Sequence, residues 1–377
     1  MGNDLRDALS AVTAPIESAA TLPPACYADA SLAALERDAV FRTSWIGIGR
    51  ADRWKAPGDY SALNIAGIPL IIVRDKSRTL RALSNCCRHR GSLLLEGSGN
   101  VNAISCPFHR WTYSLDGELR AAPAMPKDET FDKTRHGLIK FGAAERHGFA
   151  FVCFDDCRQD IDSWLGDFSA LHAPWALETL VTTRRLELEV DCNWKCFLEV
   201  FNEYYHLPYV HPESLNEVYA RPQAADQVIG QYSSQYGETE GTGGLLADSQ
   251  NHVLPSIPSL DGRTGTRYTW LFPNMTFAAG NEAVWVYEAT PLDIGRCRVV
   301  MSVCFPPQTI AHEDFDSRAR VYYDRMDAAL AEDIPALVRH YQGLASPFAK
   351  QGRFCADLEP SVANFALWYA DRLKAGL

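Results

Sequence analysis

The sequence predicts an α+β fold in which two groups of short strands are followed by a long helix. Two observations support this class. From Trp45 onward the chain contains short runs rich in β-branched and aromatic residues that are separated by turn residues, and this pattern predicts antiparallel strands. The segment from Asp314 to Leu344 instead has a helical pattern. Strands that wrap around a long helix are typical of an α+β fold with an internal cavity.

Composition and charge limit the partners that we expect. The chain has 377 residues, 47% of them hydrophobic, so two or three domains can each bury a core. A net charge of -11 argues against nucleic acid as a partner. Residues 1–6 lack a signal-peptide pattern, so the eleven cysteines are expected in reducing cytoplasm. The apolar run Ala66–Val73 is too short to cross a membrane, and we expect no membrane partner.

The first elements along the chain predict a small β domain. A helical, amphipathic pattern covers Ser31–Ser44 and precedes this domain. Strands are predicted at Ile65–Val73, Leu80–Ser84 and Phe149–Phe154, because these runs are short, apolar and bounded by turn residues. The domain is predicted to end near Cys157.

The later elements predict a second, larger unit. A strand at Arg184–Asp191 precedes a helix rich in aromatic residues, and further strands are predicted at Arg267–Phe272, Ala283–Pro291 and Cys297–Phe305. The glycine-rich segment Gly237–Gly244 is expected to be a mobile surface loop. We do not expect it to bind phosphate, because it lacks a lysine and no evident helix follows it.

Two short motifs each combine one cysteine with one histidine: Cys87-Arg88-His89 and Cys106-Pro107-Phe108-His109. A structural zinc site usually pairs cysteine with cysteine and histidine with histidine. A [2Fe–2S] cluster with two cysteines on one iron and two histidines on the other needs the mixed division seen here. The mixed motifs therefore favour an electron-transferring cluster over zinc. By spacing Cys87 is the ligand, and Cys86 is expected to be a small buried neighbour.

A second set of candidate ligands lies in the stretch from Glu203 to His211. On a helix Glu203 and His206 would project from one face, because they are three residues apart. Pro208 would then end or bend that helix and let His211 reach the same metal. Two imidazoles and one carboxylate from elsewhere would make a ferrous iron site. Alone, two histidines at this spacing are weak evidence, because such pairs are common in cores and on surfaces.

The two sets of residues together resemble one known family. Residues 85–91 and 106–117 resemble the two cluster loops of Rieske oxygenases, and residues 193–212 resemble the iron-binding segment of the α (terminal oxygenase) subunits of Rieske non-heme iron oxygenases. The resemblance covers nearly the full chain, up to residues 359–368. It implies an antiparallel Rieske β domain and a helix-grip (START/Bet v 1-like) catalytic domain.

The resemblance also implies a division of the chain into three parts. Residues 1–41 would form an N-terminal helical segment that packs with the catalytic domain. Residues 42–157 would form the Rieske [2Fe–2S] domain, and residues 158–377 would form the catalytic domain that holds mononuclear non-heme iron.

Ligands are implied for both metal centres. The cluster would be held by Cys87, His89, Cys106 and His109, and the mononuclear iron by His206, His211 and Asp333. The third iron ligand comes from residues 331–338, which resemble the C-terminal ligand helix of the family. Competing carboxylates are Asp324, Asp327 and Glu332. Glu332 lies about 100° around the helix from Asp333, so only one of these two neighbours can face the iron. The alternative is that Asp333 is a solvated helix residue.

Glu203 has a separate, catalytic role in this interpretation. In the family the equivalent carboxylate links the iron-ligand histidine of its own subunit to a Rieske histidine of the next subunit, for which we choose His109. Such a relay implies a homotrimer. Most of the family has aspartate at this position. A glutamate resembles the members that act on carnitine and other quaternary amines.

The resemblance implies a terminal oxygenase that uses O2. Its electrons would come from NADH through a separate flavin/[2Fe–2S] reductase, with or without a ferredoxin, and then through the Rieske cluster. It would hydroxylate or oxidatively dealkylate a small organic substrate, such as an N-methyl or quaternary ammonium compound. Two alternatives stay open: an aromatic-ring hydroxylating (di)oxygenase, and a Rieske electron-transfer protein without oxygenase activity. The last is disfavoured because a carrier needs no second metal site.

An ammonium substrate would need aromatic walls around its cation. Aromatic residues near the predicted iron segment or on later strands are candidates: Phe201, Tyr204, Tyr205, Tyr209, Trp270, Phe277, Trp285 and Tyr287. Each of them could instead be an ordinary core residue. The substrate-binding residues therefore stay unassigned at this point.

Overall fold

The computed structural model describes residues 2–127, 130–154, 159–212, 214–215, 217–260 and 262–377. It contains helices and sheets together, as the sequence predicts. The strands before residue 160 are β1 (Ile46–Arg50), β2 (Asp59–Ile65), β3 (Ile68–Arg74), β4 (Leu80–Ser84), β5 (Ser98–Asn100), β6 (Ile104–Ser105), β7 (Thr112–Tyr113), β8 (Leu119–Ala121), β9 (Lys140–Arg146) and β10 (Phe149–Cys153). They form an antiparallel seven-stranded sheet in the order β1-β10-β9-β4-β3-β2-β5 and a small sheet in the order β6-β7-β8.

A second antiparallel sheet of seven strands follows. Its strands are β11 (Val181–Val190), β12 (Tyr219–Pro222), β13 (Tyr232–Thr239), β14 (Thr266–Leu271), β15 (Met275–Ala279), β16 (Val284–Asp293) and β17 (Arg296–Phe305). The spatial order is β11-β17-β16-β15-β14-β13-β12. The sequence predicted β11, β14, β16 and β17 within a few residues but missed β12, β13 and β15.

The α-helices are α1 (Gly2–Ser10), α2 (Ala25–Ala28), α3 (Ala33–Glu36), α4 (Ile161–Leu165), α5 (Phe168–His172), α6 (Trp194–Phe201), α7 (Leu207–Val210), α8 (Pro307–Ile310), α9 (Phe315–Leu344) and α10 (Pro360–Gly376). The predicted C-terminal helix is confirmed as α9. The helical pattern before Trp45 is also confirmed: α3 is preceded by a 3-10 turn and continues into a π-helical segment, Arg37–Phe41. Helix α6 packs against both β16 and α9.

Two local predictions were wrong. The single strand predicted at Ile65–Val73 is the hairpin of β2 and β3, in which Ala66 and Gly67 both have positive φ and connect Ile65 to its partner Ile68. Two positive-φ residues make the tight turn that suits a hairpin, and an alanine in the turn conceals it in the sequence.

The glycine-rich segment Gly237–Gly244 is also not the surface loop that was predicted. It begins in β13, and Thr242 and Gly244 are buried. A Cβ atom on Gly244 would lie 2.5 Å from Tyr322 Cε1 of α9. The absence of a side chain therefore lets this segment pack closely against the long helix.

The two large sheets contact each other through a buried asparagine. Asn274, which precedes β15, accepts a hydrogen bond from Gly47 N (3.0 Å) and donates one to Gly47 O (2.9 Å). Its side chain is fully buried and pairs with β1 as a further backbone residue would. This contact fixes the first sheet against the second. No helix in the described part of the chain combines the length and the apolar character that a membrane span requires.

The N-terminal segment is joined to the second sheet's helices by a buried ion pair. Lys195 Nζ of α6 lies 2.5 Å from Glu36 Oε1, and the lysine is fully buried. The same carboxylate accepts hydrogen bonds from Trp194 Nε1 (3.1 Å) and from Tyr369 Oη of α10 (2.6 Å). These bonds compensate the burial of both charges.

Replacing Lys195 by methionine should lower the free energy of unfolding by about 3–5 kcal/mol, because Glu36 would be left buried without its countercharge. Denaturant titration followed by tryptophan fluorescence measures this loss. Lys374→Met is the matched control, since its ion pair with Asp371 is partly exposed and should contribute less than about 1 kcal/mol. Equal, small losses for both variants would contradict this role of the Lys195–Glu36 pair.

Candidate metal centres and active site

The loop that holds the first cysteine–histidine motif is fixed by Asn85. The side-chain oxygen of Asn85 accepts hydrogen bonds from Leu94 N and Leu95 N (3.0 Å each), and its amide donates to Leu95 O (2.8 Å). The second motif lies in the turn between β6 and β7, where Cys106 N donates to Trp111 O (2.8 Å). Both motifs are therefore held by short-range bonds that satisfy buried backbone groups.

The four predicted cluster residues come together as two pairs. Cys87 and Cys106 are buried, and they lie close enough for each thiol to affect the pKa of the other. The imidazoles of His89 and His109 meet edge to face, with ring centroids 4.7 Å apart. His109 Nδ1 is buried and has no hydrogen-bond partner among the described residues. Cys86, expected to be buried, is half-buried, and its thiol lies 3.6 Å from Gly91 O.

The spacing of these donors fits two metal atoms better than one. Four ligands of a single tetrahedral zinc ion lie within about 4 Å of one another. Among the described residues, the donor atoms of His206, His211 and Asp333 all lie within 4.8 Å of one another. No three of the four cluster candidates, which all lie in the described part of the chain, form such a group. The cysteine pair and the histidine pair are thus not gathered around one point. Such separation is what a [2Fe–2S] cluster requires.

Hydroxyl groups surround the cysteine pair. Tyr113 Oη lies 3.3 Å from Cys87 Sγ and accepts a hydrogen bond from Arg88 N (3.0 Å). The Ser92 side chain interacts with the Cys106 thiol. Hydrogen bonds to cluster sulfurs tune the reduction potential. Both residues lie within or beside the cluster loops, but the sequence alone did not indicate a role for either hydroxyl.

The local structure around Glu203 differs from the predicted one. Helix α6 ends at Phe201 and α7 begins at Leu207, so Glu203 and His206 are not on one helix. Pro208 lies in the first turn of α7, where its missing N–H costs nothing. The Glu203 carboxylate instead accepts hydrogen bonds from Tyr205 N and from His206 N (3.1 Å). It caps the turn that leads into α7.

His206, His211 and Asp333 converge on one point. His211 Nε2 lies 2.9 Å and His206 Nε2 3.7 Å from Asp333 Oδ1. His211 Nε2 and Asp333 Oδ1 are buried, and they lack a hydrogen-bond partner of proper geometry. Two imidazole nitrogens and a carboxylate oxygen that face each other without hydrogen bonding form a donor set that suits ferrous iron.

The other nitrogen of each imidazole is held by a carboxylate. His206 Nδ1 lies 2.5 Å from Glu203 Oε1, and His211 Nδ1 lies 2.6 Å from Glu332 Oε2. Ser214 Oγ also donates to Glu332 Oε2 (2.7 Å). These carboxylates fix the ring orientation and the tautomer that leaves Nε2 free to bind metal. Glu332, a competitor for the iron in the sequence analysis, thus contacts a histidine. Helical periodicity alone could not identify that partner.

A small cavity of about 50 Å³ adjoins the three converging residues. Its aromatic lining consists of Phe197, Phe201, Tyr204, Tyr268 and Tyr287. Three of the candidate aromatic residues from the sequence therefore line it, whereas Tyr205 and Tyr209 are exposed and Trp270, Phe277 and Trp285 are buried in the core outside it. A second cavity, of about 300 Å³, lies beside Glu203 and His206 and is lined by Glu199, His340 and Glu359 among others.

Comparison with known families identifies the chain. Residues 44–137 match the Rieske [2Fe-2S] domain, and residues 177–375 match the ring hydroxylating alpha subunit (catalytic domain). The chain therefore belongs to the ring-hydroxylating alpha subunit family of Rieske non-heme iron oxygenases.

Two relatives with named activities align with this chain. The glycine betaine monooxygenase oxygenase subunit of Chromohalobacter salexigens is 26% identical and aligns over 99% of this chain and 90% of its own length. The carnitine monooxygenase oxygenase subunit of Acinetobacter pittii is 33% identical over 195 residues, 51% of this chain and 53% of its own.

Solved structures share the fold. The quaternary ammonium Rieske monooxygenase CntA in complex with gamma-butyrobetaine has a TM-score of 0.79 at 24% identity, over 97% of this chain and 98% of that one. Naphthalene 1,2-dioxygenase from Rhodococcus sp. also has a TM-score of 0.79, at 18% identity over 99% and 98%.

The family settles the main expectations from the sequence. The chain is an oxygenase subunit, whose cofactors are a Rieske [2Fe–2S] cluster and mononuclear iron. Electrons reach it from NADH through a separate reductase, and its substrate is a small molecule. The unpartnered donors of His109, His211 and Asp333 fit these metals.

Replacing Cys87 by serine or His109 by alanine should abolish the red-brown colour and the reduced-state paramagnetic signal of a histidine-ligated cluster, because each removes one ligand. Absorption and electron paramagnetic resonance spectra of the purified protein test this. Cys86→Ser is the matched control and should keep both signals. Loss of the cluster in Cys86→Ser alone would mean that the neighbouring cysteine is the ligand.

Replacing Glu332 by glutamine should weaken mononuclear iron binding about 10–100-fold, because His211 loses its charged partner. Asp333→Ala should remove this iron entirely, while both variants keep the cluster spectrum. Iron content after stepwise chelation measures the affinity. The exposed Glu313 supplies a control, Glu313→Gln. Native iron affinity in Glu332→Gln would refute the orienting role.

Proposed function

We propose that this chain is the terminal oxygenase of a system that oxidises a small methylammonium compound at a carbon next to nitrogen. The observation that carries the proposal is the small aromatic-lined cavity beside His206, His211 and Asp333. A desolvated cation over aromatic faces gains about 2 kcal/mol. The relatives that align over most or half of this chain include enzymes named for glycine betaine and carnitine.

In this proposal each predicted site residue keeps its role. Cys87, His89, Cys106 and His109 hold the cluster, and His206, His211 and Asp333 hold the mononuclear iron. The proposed domains are residues 1–41, 42–157 and 158–377. Their support is the extent of the two family matches and the bond between Glu36 and Lys195.

The residues around the iron prepare the site for chemistry. Bound iron supplies the activation of O2. Glu203 and Glu332 hold the two imidazoles with Nε2 toward Asp333. The aromatic walls exclude water and place the substrate beside the metal ligands. Overall, one O2, one NADH and one proton convert an N-methyl group to N-CH2OH, with water and NAD+ as the other products. Collapse of that product breaks the C–N bond and releases formaldehyde, the amine and a proton.

We further propose that Glu203 connects the two metal centres in a homotrimer. Within one chain, no hydrogen bond or ion pair among the described residues joins Glu203 to His89 or His109. A carboxylate that already holds His206 can accept a further bond from a neighbouring subunit's histidine, and head-to-tail contacts of this kind close into a ring. A flavin/[2Fe–2S] reductase, with or without a ferredoxin, would serve the trimer in the cytoplasm.

Hydroxylation of an aromatic ring is the second candidate. The same metal set serves it, and aromatic walls can stack on a ring. The similarity to naphthalene 1,2-dioxygenase is a similarity of fold alone. The two candidates differ in product, which makes them separable.

Purified protein with a reductase and NADH should release formaldehyde from a betaine-like compound, with NADH, O2 and formaldehyde in equal amounts. An oxygen electrode and a formaldehyde assay measure this. Asp333→Ala, which lacks the iron, should give none. A cis-diol or phenol from an aromatic acid, with no turnover of any methylammonium compound, would overturn the proposed substrate.

Glu203→Gln should keep both metals but slow reoxidation of the reduced cluster about tenfold or more, because the charged link between the centres is lost. Single-turnover mixing with O2, followed at the cluster absorption bands, measures this rate. Glu178→Gln, at an exposed site, should reoxidise normally. A native rate in Glu203→Gln would contradict the relay.

A further inference from the structure

Arg325 is a buried cation in the wall of the iron-side cavity. It lies on α9, and the residues Arg325, Ala329, Leu330 and Asp333 line the cavity from one face of that helix. Only 7% of the arginine is exposed. A guanidinium stays protonated in proteins, so a full positive charge faces this space.

The charge has no acidic partner within reach. Among the described residues no carboxylate oxygen lies within 4.0 Å of the Arg325 guanidinium. By contrast, Asp327 of the same helix pairs with Arg184 of β11, and Arg318 of this helix pairs with Asp314 just before it. Arg325 Nη2 donates to Tyr219 Oη (2.9 Å), and Nε is buried with no partner. Buried charges are normally paired, because an unpaired one is costly. This exception needs an explanation.

The surroundings hold the guanidinium in place without neutralising it. Tyr219 Oη accepts from Tyr268 Oη (2.9 Å) and donates to Gly243 O (3.1 Å). The guanidinium carbon lies 5.6 Å from the Trp285 ring centroid and 5.9 Å from that of Tyr219. Asp333 lines the same cavity but is eight residues further along the helix, about 12 Å along its axis, and it faces the two histidines. A fixed arginine with free donors is suited to a carboxylate.

We propose that Arg325 binds a carboxylate of the substrate and so selects substrates that carry one. This inference rests on the proposed function, which assigns a methylammonium group to the other end of the substrate. The substrate is then a compact zwitterion of the betaine type, with its carboxylate at Arg325 and the carbon to be oxidised near His206, His211 and Asp333. A cation without a carboxylate would place its charge against the guanidinium and be repelled.

The compounds after which the relatives are named differ in whether they carry a carboxylate. Glycine betaine and carnitine, after which two of the relatives are named, carry a carboxylate. Choline, after which the chloroplastic relatives are named, carries an alcohol in its place. Our proposal places this chain's preference with the carboxylates.

The first test needs no variant. Calorimetric titration of the metal-loaded trimer or monomer, without O2, compares glycine betaine and carnitine with choline and with the methyl ester of each acid. We include benzoate and its amide as an aromatic pair. At least one acid should bind tenfold or more tightly than its counterpart without the carboxylate. If no acid is preferred over its ester, alcohol or amide, the inference is overturned.

The second test assigns the preference to Arg325. Arg325→Gln should lose tenfold or more in affinity for the acid and gain or keep affinity for choline. Arg325→Lys, which retains the charge, should keep part of the preference. Arg320→Gln, exposed on the same helix, should bind as the wild type does, and the cluster spectrum reports correct folding of each variant. Equal losses for acid and alcohol would show a merely structural arginine and overturn the inference.

The outcomes separate this inference from the proposed function. If benzoate is the preferred acid and Arg325→Gln abolishes the preference, the carboxylate site stands and the methylammonium proposal fails. If choline and betaine bind equally well and Arg325→Gln changes neither, the methylammonium proposal stands and the carboxylate site fails.

Discussion

The carboxylate–imidazole bonds at His206 and His211 are the constraint on which the catalytic part of the molecule depends. Each bond fixes one ring so that its Nε2 atom faces Asp333. A ring without such a partner could rotate, and the three donors would no longer converge. The elements that supply the partners are the turn before α7 for Glu203 and the middle of α9 for Glu332. Helix α9 therefore supplies, from consecutive residues, one proposed ligand and the carboxylate that orients another.

Packing around α9 serves this geometry. The close approach of Gly244 to Tyr322, and the contact of α6 with both the sheet and α9, hold the long helix against the curved second sheet. The N-terminal segment adds the Glu36 bonds to α6 and α10. Because cores are close-packed, a shift of α9 would move Glu332 and Asp333 together. The positions of Glu332 and Asp333 therefore depend on how firmly α9 is packed.

Whether a feature of the fold or of the site could be predicted depended on how far apart in the sequence its interacting residues lie. The proposed cluster ligands lie in two short motifs with their own local bonds, and the resemblance to a family predicted them from the chain alone. The hairpin of β2 and β3 was missed because Ala66 is not a usual turn residue. The helix expected between Glu203 and His206 was wrong because the carboxylate bonds the backbone N–H groups after it and starts a new turn. Local spacing does not reveal such competition between side chain and backbone.

Contacts between distant segments could be predicted only where the family resemblance implied them, as for Asp333 with His206 and His211. Nothing in the sequence shows that Glu332 meets His211, or that Arg325 meets Tyr219 from a strand more than a hundred residues earlier. These contacts exist only after the second sheet and α9 have packed. The family pattern identifies residues that bind metal, since their chemistry is shared by all members. Residues that bind the substrate differ with the substrate, and for them the buried charge and its missing partner are the informative observations.

Two cavities lie beside His206, and they bear on the proposed relay role of Glu203. The cavity of about 50 Å³ is lined by all three converging residues and by aromatic and aliphatic side chains, whereas the cavity of about 300 Å³ is lined by Glu203 and His206 but not by His211 or Asp333. Glu203 lines both and lies where they meet. Its Oε1 bond holds His206, and its Oε2 bonds hold the backbone of the turn. Because the carboxylate contacts His206 through Nδ1, on the far side of the ring from Asp333, a partner that approaches Glu203 need not pass through the substrate cavity. In the proposed function, the relay partner and the substrate would thus approach His206 from opposite sides of its ring.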